Sequence, residues 1–219
     1  HGALGMLNTA WDDDGEAINA VKSHADAWAA ECAWNGATTP IATFNRRVGA
    51  VLFGETADHF GRAIEGLERT HRLPAMKGMA NARFWEHDFV PRTRPATVQT
   101  AASNLLAVVR PALEHLTACR REARCHPEVL DAFRFGARRM ELIGQRMLDG
   151  LEAAQLYQQA HEAAAGAVAL APIEQIIRRN RDAHETLGRE FAALWLAESK
   201  PYALDWTLRR YTNVVADYD

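Results

Sequence analysis

The residues best suited to chemistry lie near the start of the chain, in Trp11-Asp12-Asp13-Asp14-Gly15-Glu16. A tryptophan offers a flat apolar surface to the face of a sugar ring. A carboxylate beside it accepts hydrogen bonds from hydroxyls. The same carboxylates also suit the first turn of a following helix, where backbone N–H groups are unpaired. Spacing alone leaves both readings open. A calcium loop fits poorly: counted from Asp12, glycine is fourth and Ser23 is twelfth. An EF-hand needs glycine sixth and glutamate twelfth.

A second set is His115, Cys119, Cys125 and His126. His115 and Cys119 are one helical turn apart, as ligands on one face would be. The set lacks the close Cys-x-x-Cys or His-x-x-x-His pair of structural zinc sites. The preferred reading is a core-facing Cys119 with exposed histidines, and no metal site is assigned. Asp182, His184 and Glu185 read as a solvated helix face. The pairs Arg138-Arg139, Arg178-Arg179 and Arg209-Arg210 read as dispersed surface charge. No nucleophile elbow, phosphate loop or dinucleotide-binding glycine turn is present, and no cofactor is expected. The cysteines, with Cys32, number three at irregular spacing and read as free thiols.

These residues must be positioned by a small set of elements. Gly2 to Trp11 is a short, largely apolar run that reads as a buried strand at about 3–11, of the kind found in parallel sheets. A helical pattern follows from about Ala17 to Trp34 and ends at Asn35-Gly36. Thr39-Pro40 starts the next helix, which stops at Gly54. Another spans about Thr56 to Leu73 and is closed by Pro74. Pro74 to Pro95 has no sustained period and reads as a connection, pinned by Phe84, Trp85 and Phe89. Long helices are predicted over about 97–124, kinked at Pro111, from Pro127 to about 168, and from Ala171 to Ser199. A last helix holds Leu204, Trp206, Leu208 and Tyr211. Continuous apolar stripes and short turns predict a helical bundle.

The 219 residues carry 48% hydrophobic and 24% charged side chains, a globular composition rather than a disordered one. A net charge of -3 gives no reason to expect nucleic-acid or anionic-membrane partners. No apolar stretch approaches the roughly 20 residues of a membrane-spanning helix. The chain begins at His1 without a methionine or a visible signal peptide. This predicts a start further upstream and leaves localisation undetermined.

Two segments carry a resemblance. Gly5-Met-Leu-Asn-Thr-Ala-Trp-Asp-Asp-Asp-Gly-Glu16, followed by Ala27-Trp-Ala-Ala-Glu-Cys-Ala-Trp-Asn-Gly36, resembles the end of the catalytic barrel of family 20 glycoside hydrolases, the β-N-acetylhexosaminidases. In that family the eighth strand ends in Trp followed closely by an acidic residue. The next helix carries an Ala-Glu-x-x-Trp pattern, here Ala30 to Trp34. Arg189 to Trp206 resembles the helical tail of bacterial members, whose pattern is close to Trp-Leu-x-Glu-Asn-Arg-Pro. This chain departs from that pattern at Ser199 and Lys200.

The resemblance implies a mainly α chain: a helical bundle preceded by a remnant, the last strand and helix, of a (β/α)8 barrel. Its implied divisions are 1–73 for the barrel end, 74–96 for the connection and 97–219 for the helical domain. Trp11 would line the pocket of a terminal N-acetylhexosamine. Asp13, two positions on, would bind the outer hydroxyls, with Asp12 as its alternative. Asp stands there where the family more usually has Glu. The family hydrolyses its glycan with retention, assisted by the substrate's own acetamido group. Its catalytic Asp-Glu pair lies on the fourth strand and has no counterpart here, so the chain alone is expected to be inactive. The alternative expectation is a non-catalytic helical interaction module, including a homo-oligomer formed through the helical region.

Overall fold

The computed structural model describes residues 5–9, 16–36, 38–76, 80–85, 94–162 and 170–219. Eight α-helices are present among them: α1 (Ser23–Asn35), α2 (Ile41–Val48), α3 (His59–Thr70), α4 (Ala80–Trp85), α5 (Pro95–Glu122), α6 (Pro127–Glu162), α7 (Ala171–Glu198) and α8 (Leu204–Ala216). The expected helical bundle is present. Among the described residues there is no β-strand. Gly5–Thr9, the described part of the run read as a strand, has no regular secondary structure. A strand is defined by backbone pairing with a second strand, and none is found for this segment among the described residues.

The helix ends fall where the punctuation predicts. Pro95, Pro127 and Pro172 sit in first turns, where a missing N–H costs nothing. Helix α5 continues through Pro111. Beyond α2 the chain widens into a π-helical turn, Gly49–Phe53, which Gly54 ends in the left-handed region at φ 68°. Helix α3 starts later than the composition suggests, at His59. Its cap is the buried Glu55 carboxylate, which accepts the backbone N–H of His59 at 2.9 Å and of Phe60 at 2.8 Å. An anion there complements the unpaired donors and the helix dipole.

Helix α5 packs on α3 and α6, α6 on α7, and α7 on α8. On α5 the buried positions Leu105, Val109, Ala112, Leu116 and Cys119 recur at steps of three and four, one helical stripe. It meets α6, whose Gly144 faces Leu106. A Cβ at Gly144 would lie 2.9 Å from Leu106 Cγ, so glycine sets how closely the two helices approach. The apolar core runs without a break from Ile18 through Phe60, Leu105 and Phe133 to Phe191 and Tyr211. Helix α1 is the exception. It has no buried residue, although Trp28 stacks edge-on to Phe44 with centroids 4.8 Å apart.

Candidate functional site

Trp11, Asp12 and Asp13 lie outside the described residues, as does Phe89. The acidic segment enters the described structure at Glu16, which is deeply buried, with 5% of its side chain exposed. Its carboxylate is met from three helices. Trp85 Nε1 of α4 donates to Oε1 at 2.9 Å, and Arg139 Nη2 of α6 donates to Oε2 at 2.9 Å. Arg210 of α8 donates to Oε1.

The donors are themselves held by aromatic faces. The Arg139 guanidinium lies 4.3 Å from the Phe84 ring centroid, and that of Arg210 lies 4.6 Å from the Trp85 ring. Such cation–π contacts are each worth about 0.5–2 kcal/mol. Trp85 packs edge-on to Tyr211 at 4.8 Å. Burial pushes the Tyr211 phenol well above the usual range, against the opposing effect of Arg139. The expected pinning of the connection by Phe84 and Trp85 is therefore observed. Phe84 is buried under α6, α7 and α8 contacts from Arg139, His184 and Tyr211.

A second joint lies beside the first. Asn19–Lys22 forms a 3-10 turn leading into α1. Its first two N–H groups, those of Asn19 and Ala20, donate to the two carboxylate oxygens of Glu198, the latter at 2.9 Å and 178 residues away in sequence. Glu198 belongs to the tail motif. In the same motif Trp195 Nε1 donates to the Lys200 carbonyl at 2.7 Å and closes the turn before α8. That bond uses only the backbone carbonyl of residue 200, so it does not depend on the side chain at that position. In the Ala-Glu-x-x-Trp segment of α1, Glu31 accepts from Thr39 Oγ1 and from Asn35 Nδ2 at 2.8 Å. These two bonds, Thr39 first, hold its carboxyl below the usual range. Trp34 is 88% exposed.

The zinc-like set does not come together. Cys119 is fully buried, and Cys125 is exposed. Burial, followed by the Glu55 charge, pushes the Cys119 thiol up to about 12, which makes it inert as a nucleophile or ligand. His126 faces Glu128 at 3.5 Å. His115 instead meets His59, with their Nδ1 atoms 3.1 Å apart. Among the described residues no group of three or more His, Cys, Asp or Glu is arranged to hold a metal ion.

Burial, then the neighbouring His59 and Arg62 charges, hold the His115 imidazole below its ordinary 6.5. The pair needs one ring N–H and one ring lone pair, so protonating both rings breaks it. A depressed folded value means that the unfolded chain takes the proton first. The stabilisation is thus complete above pH 6.5 and is lost as pH falls through the lower folded value. Urea midpoints measured from pH 7 to pH 5 should fall more steeply for the wild type than for His115→Gln. Equal slopes would refute this.

Two readings of polar residues are corrected by the structure. His184, read as part of a solvated face, is fully buried. Its ring nitrogens meet the Asn180 carbonyl at 3.1 Å and the Phe84 carbonyl at 3.2 Å. The arginine pairs are not simply dispersed surface charge, because Arg139 and Arg210 hold Glu16, and Arg179 holds the buried Asp149 at 2.7 Å. The position of His184 on the stripe of Leu187 and Phe191 was a readable sign of burial. The partners of Glu16, 69, 123 and 194 residues away, left no local sign. No protein-family model, curated protein or solved structure matches the chain.

Proposed function

We propose that the chain is the C-terminal part of a family 20, β-N-acetylhexosaminidase-like glycoside hydrolase. It contributes the last strand and helix of a (β/α)8 barrel and the helical region behind them. On this reading residues 3–11 would pair as the last strand only beside the rest of the barrel, since Gly5–Thr9 is irregular in the chain alone, and α1 would be the helix after it. Trp11 and Asp13, with Asp12 as its alternative, line the pocket for a terminal N-acetylhexosamine.

One observation carries this reading. Glu198, in the tail segment that resembles the family, receives the Asn19 and Ala20 amides, which lie between the two stretches of the other resembling segment. Helix α1 adds support. Ala25, Ala29, Ala33 and Trp34 extend its apolar character beyond the face packed on α2, yet none of its residues is buried. The alanine stripe Ala25, Ala29 and Ala33 leaves room for close packing of another element against this helix. The neighbouring strands and helices of a barrel would enclose this one.

The family's general acid and its partner Asp have no counterpart here, so the chain alone should not hydrolyse an aryl N-acetyl-β-glucosaminide. Turnover at an enzyme-like rate would overturn that expectation. The gene upstream of His1 tests the whole reading. An Asp-Glu pair on the order of 200 residues earlier, within alternating strand and helix patterns, supports it. An initiation codon at or just before His1 sinks it.

A second reading, a non-catalytic interaction module, is favoured by the exposed Leu196, Tyr202 and Trp206 around the turn between α7 and α8. Sedimentation of the purified chain separates the two: self-association abolished by Trp206→Ser supports the module.

A further inference from the structure

We propose that Trp85, Arg139 and Arg210 form a preformed carboxylate receptor, and that Glu16 is its internal ligand. By this latch the C-terminal helices hold the chain at Glu16. The positioning role for Trp11 and Asp13 rests on the glycosidase reading above; the latch itself does not.

The receptor has the features of a built anion site. Its three donors converge on one carboxylate from α4, α6 and α8. Two of them are guanidiniums seated on aromatic faces, which fixes their direction before any anion arrives. Both arginines carry full positive charge, which complements an anion at this position. The carboxylate is shielded from water on the Arg139 side, with Glu16 5% and Arg139 16% exposed, while Arg210 reaches it from the surface at 38%. Desolvated charge-assisted bonds of this kind are much stronger than surface ion pairs.

The latch also lies at the right place in the chain. Glu16 directly follows Asp12-Asp13-Asp14-Gly15, and the Glu198 carboxylate takes the next free amides at Asn19 and Ala20. Two carboxylates, Glu16 and Glu198, each bonded to donors far away in the sequence, bracket Ala17 and Ile18. Ile18 is itself 3% exposed and part of the core. Glu16, Arg210 and Glu198 are positioning residues: they fasten the segment that carries the sugar-contacting side chains and do not touch the sugar.

The test is chemical rescue. Glu16→Ala removes the carboxylate and leaves space for a small one. Amide exchange at Asn19 and Ala20 should then rise about tenfold or more, while α5 and α6 exchange as before. The Trp85 indole N–H resonance should shift. Formate at tens of millimolar should restore both signals in Glu16→Ala, and chloride at equal ionic strength should not. Adding Arg210→Ala should abolish the rescue. In Glu16→Gln, where the side chain still fills the space, the indole resonance should shift but formate should have no effect. This arm keeps the test valid if the alanine variant folds poorly. Identical responses to formate and chloride, or unchanged exchange at Asn19 and Ala20, would overturn the receptor.

Titration with N-acetylglucosamine separates the two claims. A successful formate rescue with no sugar-induced shift of the Trp11 indole leaves the latch standing and removes the glycosidase reading. Sugar bound equally well by the wild type and Glu16→Ala removes the positioning role alone.

Discussion

Replacing Arg179 by alanine is expected to cost about 3 kcal/mol, although the residue sits half in solvent. The reason is its partner. Asp149 is 1% exposed in the middle of α6. It accepts Arg179 Nη2 at 2.7 Å, Gln145 Nε2 at 2.8 Å and Asn180 Nδ2 at 2.8 Å. Among these donors only Arg179 carries a charge. Removing it leaves a buried carboxylate with two neutral amides, and such an orphan charge is far costlier than a lost surface pair. The value stays near the low end of the range because those amides remain and Arg179 is 53% exposed. Urea denaturation measures the loss. The double variant Arg179→Ala with Asp149→Leu should recover most of it, since it removes the orphan as well. If the double variant is no better than the single one, the cost does not arise from a stranded charge.

The second large effect is expected at Phe60. This residue is fully buried at the start of α3. Its ring packs against Phe53 of the π-helical turn at 4.9 Å, edge-on to Phe133 of α6 at 5.3 Å, and against His24 of α1 at 6.0 Å. It thus joins α1, the end of α2 and the long helices at one point. Phe60→Ala should cost about 3–5 kcal/mol, from lost transfer energy plus an unfilled cavity. Phe60→Leu should cost clearly less, because it retains most of the volume. A loss below about 1 kcal/mol in the alanine variant would show that the neighbouring rings collapse into the space.

The helical order was largely legible in the sequence because local chemistry dictates it. Gly54, Pro127, Pro172 and the Ser199-Lys200-Pro201 stop each act within a turn of where they stand. The π-helical widening after Val48 was not legible, because no residue there demands it. The strand read over 3–11 rested on apolar composition. Composition cannot supply the neighbouring strand on which pairing depends, and Gly5–Thr9 is irregular. The site was legible only as an acidic segment next to a tryptophan. Glu16 read only as the end of that acidic cluster, because the donors Trp85, Arg139 and Arg210 come from helices that are adjacent only after folding. Asp149 and His184 were missed for the same reason. A polar residue is tolerated in a core when distant partners satisfy it, and no local window contains those partners.

The joint between the two ends of the chain also sets an order of events during synthesis. Arg210 is made 194 residues after Glu16. At about 5–20 residues per second the ribosome needs roughly 10–40 s to cover that distance. Throughout that interval Glu16 lacks its α8 partner. A ribosome that stops between α7 and α8 releases a chain in which Glu198 can already take the Asn19 and Ala20 amides while Glu16 still lacks Arg210. A premature stop in α8 would therefore register as a defect almost two hundred residues upstream.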